Sequence, residues 1–511
     1  MFNFLLIKFK MIVSLGFVSK IMSTLSNDID IFALTDCHQE ARKLCCLFSG
    51  AINRISDGGK NALICDCGDL FKGIYDKNLC VEAYIKLRRK LPEAKIVVAV
   101  GNNDFGFNTE QFDFLKQTAR KFNQANIHLL CANLIDTKTD KYPNWVDPYI
   151  LLEIGGKKVM ITAFCFNMMK MERYGLKMLN ITETFANMTA TIKHIAPDAF
   201  IILNHALLPS SIELCEIAKK SGIFVDLIIG GHEHSVLEPI SEKRIYYPQA
   251  FSRTMLHFKM NVQQKPTNLH LQEVISCKQE ELNPIFIDDI DEFEQKSGLN
   301  VPVAQSVLNL TRDYSDPCSL GTFIADSMRV AAKTQVALLS TGFITHALRY
   351  EPDKILTMYN IERALSAEIA IQTVKLHAED LRTVFNNALK IRYTQRYGNT
   401  RFLQCSQNIV IFCTKAENNE ATVKQIVING EKLFDDEGNA LYPDETISCA
   451  IDPYIGSGEL GFDVLRSMGK ETLMHDNRLV KIKDIFLREI KNAPNRYKPN
   501  SPYPTYKIID V

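Results

Sequence analysis

Apolar runs alternate with amphipathic stretches along the first half of the chain. IDIFALTD (29–36), NALICDCGD (61–69), KIVVAVGNND (95–104), NIHLLCANL (126–134), KKVMITAFCF (157–166), AFIILNHA (199–206) and DLIIGGHEH (226–234) each hold a short continuous apolar core. Runs of this length predict strands buried on both faces. Between them, VEAYIKLRRKL (81–91) and SIELCEIAKKSG (211–222) space their apolar residues at helical intervals. Strand and helix in alternation predict an α/β domain with helices packed on a sheet. Past Tyr246 the pattern shortens to alternating strands such as RTMLHFKMNV (253–262).

The acidic segment IFIDDIDEFEQKSGLN (285–300), ended by Gly298 and Pro302, predicts a linker over 285–302. A first domain then spans 28–284 and a second 303–505. The second opens with helix SLGTFIADSMRVAAK (319–333). It continues through helix LHAEDLRTVFNNALK (376–390) to strands NIVIFC (408–413) and VKQIVING (423–430). A chain of 511 residues is too long for one ordinary core, which agrees with two domains.

Apolar residues make up 46% and charged residues 23%, as in soluble globular proteins. Lys+Arg and Asp+Glu both number 59, so the net charge is zero. That balance argues against a nucleic-acid polymer or a membrane surface as partner, since either requires a basic footprint. No stretch has the length of a stable membrane span. Several of the 14 cysteines lie inside apolar runs, which reads as buried free thiol and favours the cytoplasm. Residues 1–27 read as a disordered extension. Lys8 and Lys10 before the apolar run Met11–Val18 imitate a signal peptide, but no small-x-small cleavage site follows. If residues 1–22 do act as a signal, the alternative is a periplasmic or secreted protein.

Polar residues of metal-ligand type cluster where the predicted strands end. Asp36 and His38 follow the first, Asp69 the second and Asn102 the third. His205 follows AFIILN, and His232 and His234 follow DLIIG. In α/β sheets the ligand site lies beyond the carboxyl ends of the strands, so these positions converge. Mixed carboxylate, amide and imidazole ligands suit two divalent transition metals sharing a carboxylate.

ALTDCH, CDCGDLFKG, VAVGNND, LNHALL and IIGGHEHS resemble, in order and spacing, the five blocks of the calcineurin-like metallophosphoesterases. CANLIDTKTDKYPNWVDPYILLEIGGKKVMITAF (131–164) and DPCSLGTFIADSMRVAAKTQVALLSTG (316–342) resemble the 5′-nucleotidase/UDP-sugar hydrolase branch. The resemblance implies a four-layer α-β-β-α metallophosphoesterase domain followed by an α/β substrate domain of the 5′-nucleotidase type. It implies one metal on Asp36, His38, Asp69 and His234, and a second on Asp69, Asn102, His205 and His232, with Asp69 bridging. Such ions lie ~3.5–4 Å apart, generate a nucleophile at neutral pH and clamp phosphoryl oxygens. Their identity stays open among Mn, Zn, Co, Fe and Mg.

The third block departs from the family. Gly101-Asn102-Asn103-Asp104-Phe105-Gly106 stands where the family has Gly-Asn-His-Glu followed by Phe-Asp. The catalytic His is Asn103 and its orienting Asp is Gly106; Asn103 and Asp104 are therefore the candidate catalytic pair. In the second domain the family's phosphate-gripping Arg is replaced by Thr345, within Ser340–His346, and the Pro-Phe that supplies a stacking aromatic by Ser366-Ala367. The late Gly-rich loop is echoed in Gly456–Phe462. His346, Arg401 and Phe462 are the candidate substrate-binding residues. The expected activity is metal-dependent hydrolysis of a small phosphorylated substrate. The alternative is a catalytically inactive descendant that binds metal or a phosphorylated ligand.

Overall fold

The computed structural model describes residues 28–511 apart from 107–108, 167–170, 235, 264–265, 314, 366–368, 395–401, 416–420 and 459–460. The extension expected over 1–27, Arg401 and the pair Ser366-Ala367 lie outside the described residues. The chain divides into two compact units between Phe293 and Glu294.

In the first unit the apolar runs become strands, each shorter than its run because the polar residues at its end belong to a loop. β1 (Asp28–Leu34), β2 (Ala62–Asp66), β3 (Lys95–Ala99) and β4 (His128–Leu130) are parallel neighbours. β5 (Tyr149–Ile154) pairs antiparallel with β6 (Lys157–Cys165), which runs parallel to β7 (Ala199–His205). β8 (Leu227–Gly230) and β9 (Ile245–Tyr246) complete that second sheet, in the order β9-β8-β7-β6-β5. β10 (Thr254–Asn261) returns antiparallel to β1 and hairpins to β11 (Asn268–Ser276), giving the first sheet the order β11-β10-β1-β2-β3-β4.

The two sheets face each other. Alternate residues of each strand enter one buried cluster: Ile29, Ile31 and Ala33 from β1, Leu63 and Cys65 from β2, Ile161 and Ala163 from β6, Ile201 and Leu203 from β7. The intervening residues point outward to helices. Met160, Phe200, Ile202 and Ile228 pack with Phe185 and Ile192 of α4 (Ile181–Ile195) and Leu214 of α5 (Leu208–Lys220). On the opposite face, α1 (Ala41–Arg54), α2 (Lys77–Lys90) and α3 (Thr109–Gln124) meet through Phe48, Tyr84 and Phe122, with ring centroids 4.8 and 5.6 Å apart. This is the expected α-β-β-α layering.

Residues 285–302, read as a linker, carry helix α6 (Pro284–Ser297). Its apolar stripe is what the acidic composition concealed. Phe286 and Ile290 are buried, while Asp289 and Asp291 pair with Lys86 and Arg42.

The second unit is also mixed α/β. A five-stranded sheet takes strands 403–405, 336–340, 447–451, 372–376 and 470–472 in that order, and a four-stranded sheet takes 431–432, 421–428, 409–415 and 507–510. All 14 cysteines are free thiols, most of them buried. Among the described residues no helix is long and apolar enough to cross a membrane.

Asp226 shows how the amino ends of the strands in the second sheet are held. Its buried carboxylate accepts from Phe200 N at 2.7 Å and Thr267 Oγ1 at 2.5 Å, joining β7 to the β10–β11 hairpin. Asp226→Ala strands these donors and is expected to destabilise the fold by roughly 3 kcal/mol, measured by chemical denaturation.

Candidate metal centre

The candidate ligands all lie at the carboxyl ends of the parallel strands of both sheets. The loop after β1 carries Asp36 and His38, that after β2 carries Asp69, and that after β3 carries Asn102. From the facing sheet, His205 is the last residue of β7, and His232 and His234 follow β8. One ligand atom from each of Asp36, His38, Asp69 and His234 lies within 4.8 Å of the others. His38 Nε2 stands 3.5 Å from Asp36 Oδ1 and 3.0 Å from His234 Nε2. The second group closes around Asn102, whose Oδ1 is 3.1 Å from His205 Nε2 and 2.7 Å from His232 Nδ1. Asp69 Oδ2 joins the two groups, at 3.6 Å from His38 Nε2 and 3.3 Å from His205 Nε2. The seven residues predicted from the sequence are thus one cluster.

The loops that carry the cluster adopt uncommon backbone. Asp36, His38, Gln39, Asp69 and His232 all have φ between 48° and 72°, the left-handed region that non-glycine residues rarely occupy. Two close glycine contacts set the spacing of the loops. A Cβ at Gly101 would meet Asp69 N at 2.2 Å, and one at Gly231 would meet Thr35 Oγ1 at 2.4 Å. Hydrogen bonds aim the ligands. Thr35 Oγ1 and His232 N both donate to Asp36 Oδ2, at 2.7 and 3.0 Å. His205 Nδ1 donates to the Cys67 carbonyl at 2.7 Å, which leaves Nε2 as the ligand atom.

Asp36 and Asp69 have no exposed surface. Burial acts to raise both, but the histidines outweigh it and hold both well below the usual carboxylate range. Burial disfavours the His205 cation, yet the facing carboxylates of Asp69 and Asp36 hold it up at about 10. Burial beside His205 pushes His232 down to about 4. Protons on imidazoles therefore balance the two carboxylates. Divalent cations satisfy the same charge, and the donors are oxygen and imidazole nitrogen, so the residues fit two such ions.

Asn103 and Asp104 take different places. Asn103 N and Nδ2 donate to Asp69 Oδ1 and Oδ2, at 2.7 and 2.5 Å. Asp104, offered above as half of a catalytic pair, is buried and turned into the loop. Its carboxylate accepts from Gly101 N at 2.8 Å, Asp69 N at 3.0 Å and Phe71 N at 2.9 Å. Burial pushes it up to about 7.

Three contributors were missed by the sequence reading. Asp66 ends β2 and accepts from Tyr84 Oη and from Gly68 N, which shapes the loop to Asp69. Phe166 stacks on His232 at 4.8 Å, and Phe251 lies 5.1 Å from His38 and 4.9 Å from His234. The left-handed φ of Phe251 is invisible in the residue type, so no local signal marked it.

In the second unit His346 is half-buried, with Nδ1 3.0 Å from the Arg363 carbonyl. Phe462 is 1% exposed and belongs to a hydrophobic core, so the stacking face proposed for it is closed within that unit.

Comparison with known proteins agrees with this arrangement. Residues 29–236 match the calcineurin-like phosphoesterase family, and residues 299–467 match the 5′-nucleotidase C-terminal domain. The trifunctional nucleotide phosphoesterase protein YfkN of Bacillus subtilis (strain 168) is 22% identical over 88% of this chain, which spans only 33% of that protein's length. An apyrase of Tabanus yao is 22% identical over 82% of this chain and 80% of its own. The crystal structure of a 5′-nucleotidase precursor from Thermus thermophilus shares the fold, with a TM-score of 0.68 at 15% identity over 95% of this chain and 100% of that one. Matched in order over its two units, the chain joins a calcineurin-like phosphoesterase domain to a domain of the 5′-nucleotidase C-terminal type.

Proposed function

We propose that this chain hydrolyses small phosphorylated molecules, nucleotides among them, with two divalent ions held by Asp36, His38, Asp69, Asn102, His205, His232 and His234. The observation that carries the reading is Asp69, whose single oxygen Oδ2 faces His38 on one side and His205 on the other. When bound, such ions lower the pKa of a water and neutralise phosphoryl oxygens. The chain itself does the rest. Asn103 and Asp104 grip the Asp69 side chain and backbone. Phe166 and Phe251 wall the histidines and keep their environment apolar. The names of the nucleotide phosphoesterase and apyrase relatives support a phosphate ester or anhydride as substrate. Buried free thiols support a reducing compartment such as the cytoplasm.

A second reading, a binding protein without turnover, is favoured by one observation. Asn103 has no proton to give a leaving group, and its amide is already bonded to Asp69.

Asp69→Ala is expected to abolish stoichiometric uptake of manganese or zinc and to cut turnover of nucleotides at least ~10³-fold. Metal analysis and phosphate release measure both. Wild-type turnover that survives this change rules the reading out. Metal uptake should also release protons. The facing carboxylates hold the His205 ring up at about 10, and it must be neutral to ligate. Apparent affinity should therefore rise with pH, about tenfold per unit for each proton released, and fall as pH is lowered. Titration calorimetry in buffers of different ionisation enthalpy counts the protons. Asn103→His should raise hydrolysis of esters with poor leaving groups, by up to roughly 10²-fold. Adding Gly106→Asp should instead destabilise the protein, because Gly106 has φ 69° and a Cβ there would sit 2.2 Å from Gln111 Cβ.

A further inference from the structure

A lysine stands beside the position where the family's imidazole is missing. Lys72 lies three residues beyond Asp69, in a loop anchored on both sides of it. Phe71 N donates to Asp104 Oδ1 at 2.9 Å, and Gly73 N donates to Gln39 Oε1 at 2.6 Å. Gly73 approaches the first loop so closely that a Cβ would lie 1.7 Å from the His38 carbonyl oxygen. Lys72 itself has φ 75°, a left-handed conformation that costs a residue with a Cβ roughly 1 kcal/mol and a glycine almost nothing. Strain of this kind at a site edge is retained where the side chain is needed.

The side chain is directed as well. Lys72 Nζ donates to Asn103 Oδ1 at 3.1 Å, while Asn103 Nδ2 donates to Asp69 Oδ2 at 2.5 Å. Asn103 therefore couples the ammonium to the carboxylate that joins the two metal groups. A histidine at 103 has no carbonyl oxygen with which to hold Lys72 in this way. Lys72 and Asn103 share the wall of a cleft of about 370 Å³ with Lys77, Gln111 and Phe114. The Lys77 ammonium is placed elsewhere, 4.1 Å over the Phe114 ring. Of these two lysines Lys72 is the one bonded to Asn103; burial pushes its ammonium down while Asp69 acts to hold it up.

We propose that Lys72 is a catalytic residue of this site, its ammonium contacting the phosphoryl or leaving oxygen in place of an imidazolium, and that Asn103 is its positioning residue. This rests on the phosphoesterase reading and names a residue that reading does not include. In the step, a water oxygen bonds to phosphorus, the bond from phosphorus to the leaving oxygen breaks, and its electron pair stays on the leaving oxygen. The ammonium donates a hydrogen bond to that growing charge and keeps its proton. The water consumed supplies the proton that the leaving group finally takes.

The test uses the full chain loaded with manganese, with orthovanadate as the binding probe and p-nitrophenyl phosphate as substrate. Lys72→Ala is expected to leave metal content unchanged, weaken orthovanadate at least ~10-fold and lower kcat by roughly 10². Lys72→Arg should recover part of both losses. Asn103→Ala should reproduce the loss, and the double variant should add little to it, because the two residues act as one unit. A Lys72→Ala protein with wild-type orthovanadate affinity and kcat overturns the proposal while leaving the phosphoesterase reading intact. Additive losses overturn the coupling to Asn103. A wild-type chain that takes up no metal overturns both.

Discussion

Asp36 and Asp69 are buried without exposed surface, and their ionic partners are imidazoles rather than lysine or arginine. Two carboxylates in a dry environment repel each other and lack hydration, so each needs a compensating charge within bonding distance. Much of the first unit's architecture follows from meeting that demand. The two sheets face each other so that the loops of one supply the acids and the loops of the other supply three of the four histidines. Glycines at 101 and 231 let the backbones approach. Strained residues cluster in these loops because ligand direction there outweighs local backbone preference.

A second tier of buried polar groups holds the first in place. Asp104 gathers three amides from the loops after β2 and β3, and Asp66 shapes the turn that leads to Asp69. Neither reaches the place where metals would sit. Both restrain the Asp69 backbone, whose side chain joins the two groups of candidate ligands.

The replaced dyad has a physical logic of its own. Gly106 is confined by its φ and by Gln111, which leave no room for a side chain there. Asn103 has turned both ends of its amide to neighbours, one acidic and one basic. The third block therefore remains integrated with the centre through Asn103 and Asp104.

Strand positions and the seven metal-type residues were legible in the sequence, because a strand buried on both faces must be continuously apolar and a polar residue at its end is conspicuous, while the layer order came from the family resemblance. The acidic segment 285–302 contains the boundary between the units, but its helix was hidden for the complementary reason. A helix whose buried apolar residues are Phe286 and Ile290 is diluted by the acids around them. Composition could not reveal that Phe462 faces a core, that Asp104 binds backbone, or that Phe166 and Phe251 wall the histidines. Those roles depend on which side a residue faces after the sheets have packed. The residue types and their order are written along the chain. Lys72 reaching Asn103, and Asn103 reaching Asp69, exist only once loops from separate strands are brought within bonding distance, and that is a property of the tertiary structure alone.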